Sequence, residues 1–144
     1  MKKTVILAIL ITTFINADFS RDTNGIVTDN NTKLKWQDSY KDNSIASKHW
    51  KDALNYCNTL TLGGLKWRLP NINELKTLIV DKESKPLIDN AFKWTKSSFY
   101  WSSTTKASDS RESWCINFSS GGIWSANNGS TYYERLVRCV SSGK

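Results

Sequence analysis

The chain has 144 residues, 39% hydrophobic and 23% charged, a balance that excludes a disordered polymer and suits one ordinary domain. Seven Trp against one Met, one His and two Pro exclude collagen, coiled coil and low-complexity repeats. Only His49 is available for histidine acid–base chemistry, and 20 Lys and Arg against 13 Asp and Glu give a net charge of +7.

Residues 1–17 read as a secretory signal peptide. Lys2 and Lys3 form a positive start, Thr4 to Ile15 is almost wholly apolar, and Ala17 supplies the small residue at the cleavage point. The apolar run is about a dozen residues, short of the roughly 20 that span a bilayer as a helix. Residues 18–144 are then the domain. Loss of the two lysines and no acid lowers the charge from +7 to +5. The expected location is the periplasm, the cell surface or the medium, with no membrane span after cleavage. Cys57, Cys115 and Cys139 would meet an oxidising space, where one disulfide and one leftover thiol are expected. Their spacings of 58 and 24 residues fit no zinc motif, and any two of the three can pair on arithmetic alone.

Along the domain the pattern runs β, α, β. Gly25 to Trp36 predicts two short strands around an Asp29-Asn30-Asn31 turn, with Val27, Leu34 and Trp36 apolar. Ser47 to Leu60 predicts a helix, because Trp50, Ala53, Leu54, Cys57 and Leu60 recur at helical spacing. Ser47 is its expected cap and Gly63-Gly64 its expected end. A second helix opens at Asn71, with Glu74 at the capping-box spacing and Ile72, Leu75, Leu78 and Ile79 as its stripe. Asp81 to Lys96 reads as a long polar loop. Strands are expected at Phe99–Ser103, Ser113–Phe118, Gly122–Ala126 and Tyr133–Val140; Ser119-Ser120-Gly121-Gly122 and Asn127-Asn128-Gly129 supply the turns that join the last three into a meander.

Several motifs stand in a characteristic order: T-D-N-x-T-x-L-x-W (Thr28 to Trp36), W-x-x-A-L-x-Y-C (Trp50 to Cys57), L-G-G-x-x-W-R-L-P-N-I-N-E-L (Leu62 to Leu75), Y-W-S-S-T (Tyr100 to Thr104) and V-R-C-V (Val137 to Val140). In these the chain resembles the Legionella collagen-like protein C-terminal domain family, over about residues 19 to 141. The most specific block holds Trp67, Arg68, Leu69, Pro70 and Glu74. The resemblance implies an α+β fold similar to C-type lectins, two helices flanking a curved antiparallel sheet with long loops. It also implies a Cys57–Cys139 bridge from first helix to last strand, leaving Cys115 free. In Trp114-Cys115-Ile116-Asn117-Phe118, alternation sets Cys115 opposite the face of Trp114, Ile116 and Phe118, and it reads as a small side chain on a sheet face.

No catalytic centre is expected. The formylglycine-generating branch of related folds uses a nearby cysteine pair, which is lacking here, and the sequence holds no Ser/His/Asp set. Arg68 and Glu74 are expected to form an ion pair or cap that fixes the second helix. The sugar-binding triplets of calcium-dependent lectins are missing. Asp81, Glu83 and Asp89 alternate with Lys82 and Lys85, so a solvated loop is expected there and no metal or cofactor is implied.

A binding surface remains, and relatives on collagen-like adhesins are associated with sulfated glycans. Basic and aromatic side chains near expected turns form the candidate ligand set: Lys93, Trp94, Lys96, Arg111, Trp124, Tyr132 and Arg135, with Lys106 and Tyr133 beside them. Trp36, Trp50, Trp67, Trp101 and Trp114 are expected in the core. The expected role is a non-enzymatic envelope module that binds carbohydrate or sulfated glycan. A protein partner in an envelope complex is the alternative. No nucleic acid is expected, since export removes the opportunity and no basic run exceeds two residues.

Overall fold

Two strands form where apolar positions alternate, and a turn built by one buried carboxylate joins them. The Asp29 side chain accepts the backbone N–H of Asn31 (2.8 Å) and Thr32 (3.1 Å) and the Thr32 hydroxyl (2.7 Å). The turn places β2 (Ile26–Asp29) antiparallel to β3 (Lys35–Gln37) with Val27 opposite Trp36, both fully buried. The computed structural model describes residues 18–81, 83–129 and 135–143, so the expected signal peptide lies outside the described residues. β1 (Phe19–Arg21), which the sequence reading did not anticipate, flanks β2, and β9 (Val140–Ser141) flanks β3. The beginning and end of the domain therefore share one four-stranded sheet, ordered β1-β2-β3-β9.

The first helix is shorter than expected. α1 spans Trp50–Asn58 and buries Ala53 and Cys57. Ser47 does not cap it: Ser47–Lys48 is β4, which pairs antiparallel with β8 (Arg135–Leu136). His49 takes the N-cap position with extended backbone and no side-chain cap. Residues 47 and 48 find a ladder partner in distant chain, and that pairing overrides the local capping signal. The helix stops at Thr59, ahead of the two glycines. Gly63 and Gly64 instead shape a separate turn with φ of 61° and 68°, and a Cβ on Gly63 would stand 2.6 Å from Ile26 Cδ1. Neither position admits another residue without strain.

α2 (Ile72–Lys76) opens as its sequence predicts but ends before Leu78 and Ile79, which the expected stripe included. The Asn71 side chain accepts the Glu74 N–H and Glu74 accepts the Asn71 N–H, each at 2.8 Å. The helix is only 5 residues long, yet Leu75 and the following Leu78 are fully buried. The loop after it is less solvated than its composition suggests. It sends Ile88 and Phe92 into the core, and Leu87 donates to the Phe118 carbonyl at 2.8 Å.

A meander is present one strand earlier than expected, as β5 (Phe99–Lys106), β6 (Asp109–Asn117) and β7 (Ile123–Asn127); β7 is left at the sheet edge because β8 pairs with β4 and β5 instead. The meander joins a five-stranded sheet ordered β4-β8-β5-β6-β7, in which β8 runs parallel to β5. The expected strand Tyr133–Val140 is divided between β8 and β9, one in each sheet; Tyr133 lies outside the described residues.

The two faces of the five-stranded sheet cover two apolar cores, which is why both alternating sets along β5 and β6 are buried. Tyr100, Ile116 and Leu136 pack with Val27, Trp36, Leu75, Ile88 and Phe92. Trp101, Cys115, Ala126 and Val137 pack with Ala53, Cys57, Trp67 and Leu69. The second core contains the Cys57–Cys139 disulfide, with Cα atoms 5.4 Å apart. Cys115 is free and buried, and burial pushes its thiol pKa up.

One buried charge pair ties loops to sheet. The Arg138 guanidinium, wholly buried, donates to Asp38 Oδ1 (2.9 Å), the Gln37 and Trp94 carbonyls (2.6 Å each) and Thr95 Oγ1 (2.7 Å). It lies 4.7 Å from the Phe92 ring centre. The other Asp38 oxygen accepts Arg21 and the Lys93 N–H.

Candidate functional site

The register of the five-stranded sheet builds one aromatic and basic row. Trp101 on β5 lies opposite Cys115 on β6, and Cys115 lies opposite Trp124 on β7, so the three share one face. Trp101 and Cys115 are buried there, while Trp124, on the edge strand, is 58% exposed. Phe99 meets Trp124 edge to face, with ring centres 6.3 Å apart at 82°. The Arg135 guanidinium lies 5.0 Å from the Phe99 ring centre and 5.8 Å from that of Trp101. Phe99 thus links Arg135 to Trp124.

The indole of Trp124 is held as well as exposed. A Cβ on Gly122 would stand 3.1 Å from Trp124 Nε1, so the ring lies close over the Gly122 backbone. Cys115 Sγ donates to the Trp124 carbonyl at 3.5 Å. The result is a fixed aromatic surface near a cation, able to stack against a ring or attract an anion.

The remaining expected ligand residues do not join this row. Lys93 and Trp94 donate their backbone N–H groups to Asp38, and Trp94 packs against the first core, which the opposite face of the sheet covers. The exposed Lys96 uses its N–H on the Tyr100 hydroxyl, also in the first core. Arg111 is exposed but engages Asp109 through two side-chain hydrogen bonds, of 2.9 and 2.8 Å. That contact holds the Asp109 carboxyl pKa down at about 2. The expectation that these residues share one side with Trp124 fails for Lys93, Trp94 and Lys96, because the loop backbone is bonded to Asp38 and Tyr100, beside the first core. Arg111, by contrast, follows Ser113 and Cys115 in the alternation of β6 and lies on the Trp124 face. Tyr132 lies outside the described residues.

Arg68 and Glu74 form the expected pair, with bonds of 2.7 and 2.6 Å. Burial raises the Glu74 pKa, but the Arg68 and Asn71 hydrogen bonds outweigh it and the net shift is downward. Trp67, Leu69 and Pro70 are buried around it. Of the tryptophans expected inside, Trp36, Trp67 and Trp101 are buried. Trp50 is only half-buried and donates to the Ser102 carbonyl at 2.8 Å. Trp114 is also half-buried, with the Lys106 ammonium 5.9 Å from its ring centre.

Among the described residues, no group of three His, Cys, Asp or Glu side chains is placed to hold a metal ion. Nor is any described helix long and apolar enough to cross a membrane. Sequence reasoning passed over a cavity of about 310 Å³ lined by Lys48, Asp52, Asn55, Tyr56 and Thr59. Its one sequence signal was the spacing of these polar residues along the outer face of α1.

Residues 25–138 match the family model of the Lcl C-terminal domain. The chain belongs to that family. The matched segment runs from the first hairpin through both cores to Arg138, so the Lcl C-terminal domain accounts for both sheets apart from β1 and β9. Among curated proteins, none matches this chain.

Proposed function

We propose that this Lcl C-terminal domain is an exported, non-enzymatic, C-type lectin-like module that binds carbohydrate or sulfated glycan at the cell envelope. The observation that carries the proposal is the exposed Trp124, fixed over Gly122 and joined to Arg135 through Phe99. An aromatic face stacks on sugar rings, and a guanidinium beside it attracts sulfate or carboxylate. The basic balance of the chain draws polyanions toward it. The bridge from α1 to the residue just before β9, and the meeting of β1 and β9 in one sheet, support the lectin-like reading. A disulfide also suits an oxidising compartment.

A glycan array read at low and high salt tests the proposal, together with heparin retention of Trp124→Ala. Sulfated glycans should bind and fade as salt rises. Trp124→Ala should weaken binding about 10–100-fold, the order for losing an aromatic anchor. It should cost only about 1 kcal/mol of stability, since more than half of the side chain already faces water. Unchanged retention removes Trp124 from the site. A flat array refutes glycan binding and leaves assembly with an envelope protein, which the adjacent exposed Ile123 and Trp124 on an edge strand favour.

A further inference from the structure

The outer face of α1 carries a second concavity, away from the aromatic row. Lys48 at the end of β4 and Asp52, Asn55, Tyr56 and Thr59 along α1 line a cavity of about 310 Å³. That is the small end of the range ligand pockets occupy, about 300–1,000 Å³, and holds one ring-sized unit.

Its chemistry is balanced. Lys48 and Asp52 contribute one charge of each sign, and among the described residues no hydrogen bond or ion pair engages the Lys48 ammonium, the Asp52 carboxylate or the Asn55 side-chain amide. A polyanion attracted by Lys48 is opposed by Asp52. An uncharged polyol is not, because it supplies both hydroxyl donors for the carboxylate and acceptors for the ammonium and amide. The Thr59 hydroxyl donates back to the Asn55 carbonyl at 2.9 Å, so its oxygen is left to act as an acceptor.

One wall is built in advance. The buried Gln37 side chain donates to the Tyr56 hydroxyl oxygen at 2.9 Å, and its own oxygen accepts the Cys139 N–H at 3.3 Å. The Tyr56 ring is thereby tied to β3 and to the disulfide, and its O–H proton stays available to a ligand. The Lys48 ammonium stands 6.0 Å from the ring centre. An aromatic wall fixed by a buried amide, with a free carboxylate, amide and ammonium around it, is a preorganised set for a polyhydroxylated ring.

We infer that this pocket is a subsite for one uncharged hexose unit, distinct from the Trp124 face. The inference rests on the proposal that the domain binds carbohydrate, and extends it from acidic glycans to neutral ones. So open a site predicts weak binding, with Kd on the order of 1–10 mM for a single sugar.

Saturation-transfer NMR with the methyl glycosides of glucose, mannose and galactose tests it, on wild type, Asp52→Ala and Asn55→Ala. Both positions are exposed on a helix where alanine is favourable, so the variants should melt like wild type. At least one glycoside should give a signal that salt leaves unchanged and that each variant reduces at least fivefold. Heparin retention, measured on the same proteins, should be unaffected. Absence of signal from all three sugars at on the order of 10 mM overturns the subsite. So does a signal that survives the combined Asp52→Ala, Asn55→Ala variant. Hexose binding without heparin retention leaves the subsite standing and refutes the Trp124 face; the reverse result does the opposite.

Discussion

Replacing Arg138 with methionine should cost the domain about 3–5 kcal/mol, the order found when one partner of a buried ion pair is removed. Methionine keeps most of the side-chain volume and the contact with Phe92, so little of the loss comes from a cavity. The loss comes from polar groups. The Gln37 and Trp94 carbonyls, each 2.6 Å from the guanidinium, lose a charged donor that comes from a wholly buried side chain. A buried group left so costs about 1–3 kcal/mol. Asp38 also loses one partner but keeps Arg21 and the Lys93 and Trp94 N–H groups, which holds the total within the stated range. Against a stability of about 5–15 kcal/mol, the variant should still fold. Its melting temperature should fall by about 10–20 °C, followed by near-ultraviolet circular dichroism of the tryptophans. Arg138→Lys should not rescue it, because one ammonium cannot span acceptors that a planar fork reaches on both sides. A shift of less than about 4 °C for the methionine variant would show that the node is replaceable and refute the reasoning.

Removing the bridge with Cys57→Ala and Cys139→Ala should destabilise the domain by about 4–5 kcal/mol, since it closes a loop of 82 residues; matched urea midpoints for oxidised wild type and the variant check this. Asn71→Ala should cost about 1 kcal/mol in the same assay through loss of the capping box. Glu74 has a folded pKa below its ordinary 4.5, so its contribution is complete above that pH and is lost as pH falls through the lower folded value. Wild type should therefore lose more stability than Glu74→Gln on acidification below about pH 4.5, while exposure of Arg68 keeps the difference within about 1 kcal/mol. Cys115 should resist iodoacetamide at pH 8 in the native state and react once urea unfolds the chain, because burial withholds both solvent and thiolate; mass spectrometry of the alkylated protein reads the outcome.

Features with local causes were legible in the sequence. The Asp29 turn, the Asn71–Glu74 cap and the β6–β7 hairpin each depend on residues a few positions apart, and each formed where it was expected. Ser47 failed as a cap because its backbone is claimed by Arg135 and Leu136, almost ninety residues away. The same cause divides the last expected strand, since residues 135–136 join one sheet and residues 140–141 the other. Alternation identified the apolar residues of β5 and β6 but not that a core covers each face, so Cys115 and Ile116 could both be buried. Arithmetic on three cysteines left the bridge open. It took the packing of α1 against the end of the chain to set Cys57 and Cys139 5.4 Å apart. The binding face was the least legible. Charge and aromaticity marked Lys93, Trp94, Lys96, Arg111, Trp124 and Arg135 alike, but whether a side chain faces solvent depends on strands and loops remote from it. Edge position exposes Trp124, Asp109 holds Arg111, and the buried Asp38–Arg138 pair draws Lys93 and Trp94 to the opposite core. Composition carries the chemistry a surface can use, whereas convergence is a property of long-range pairing, which no local pattern encodes.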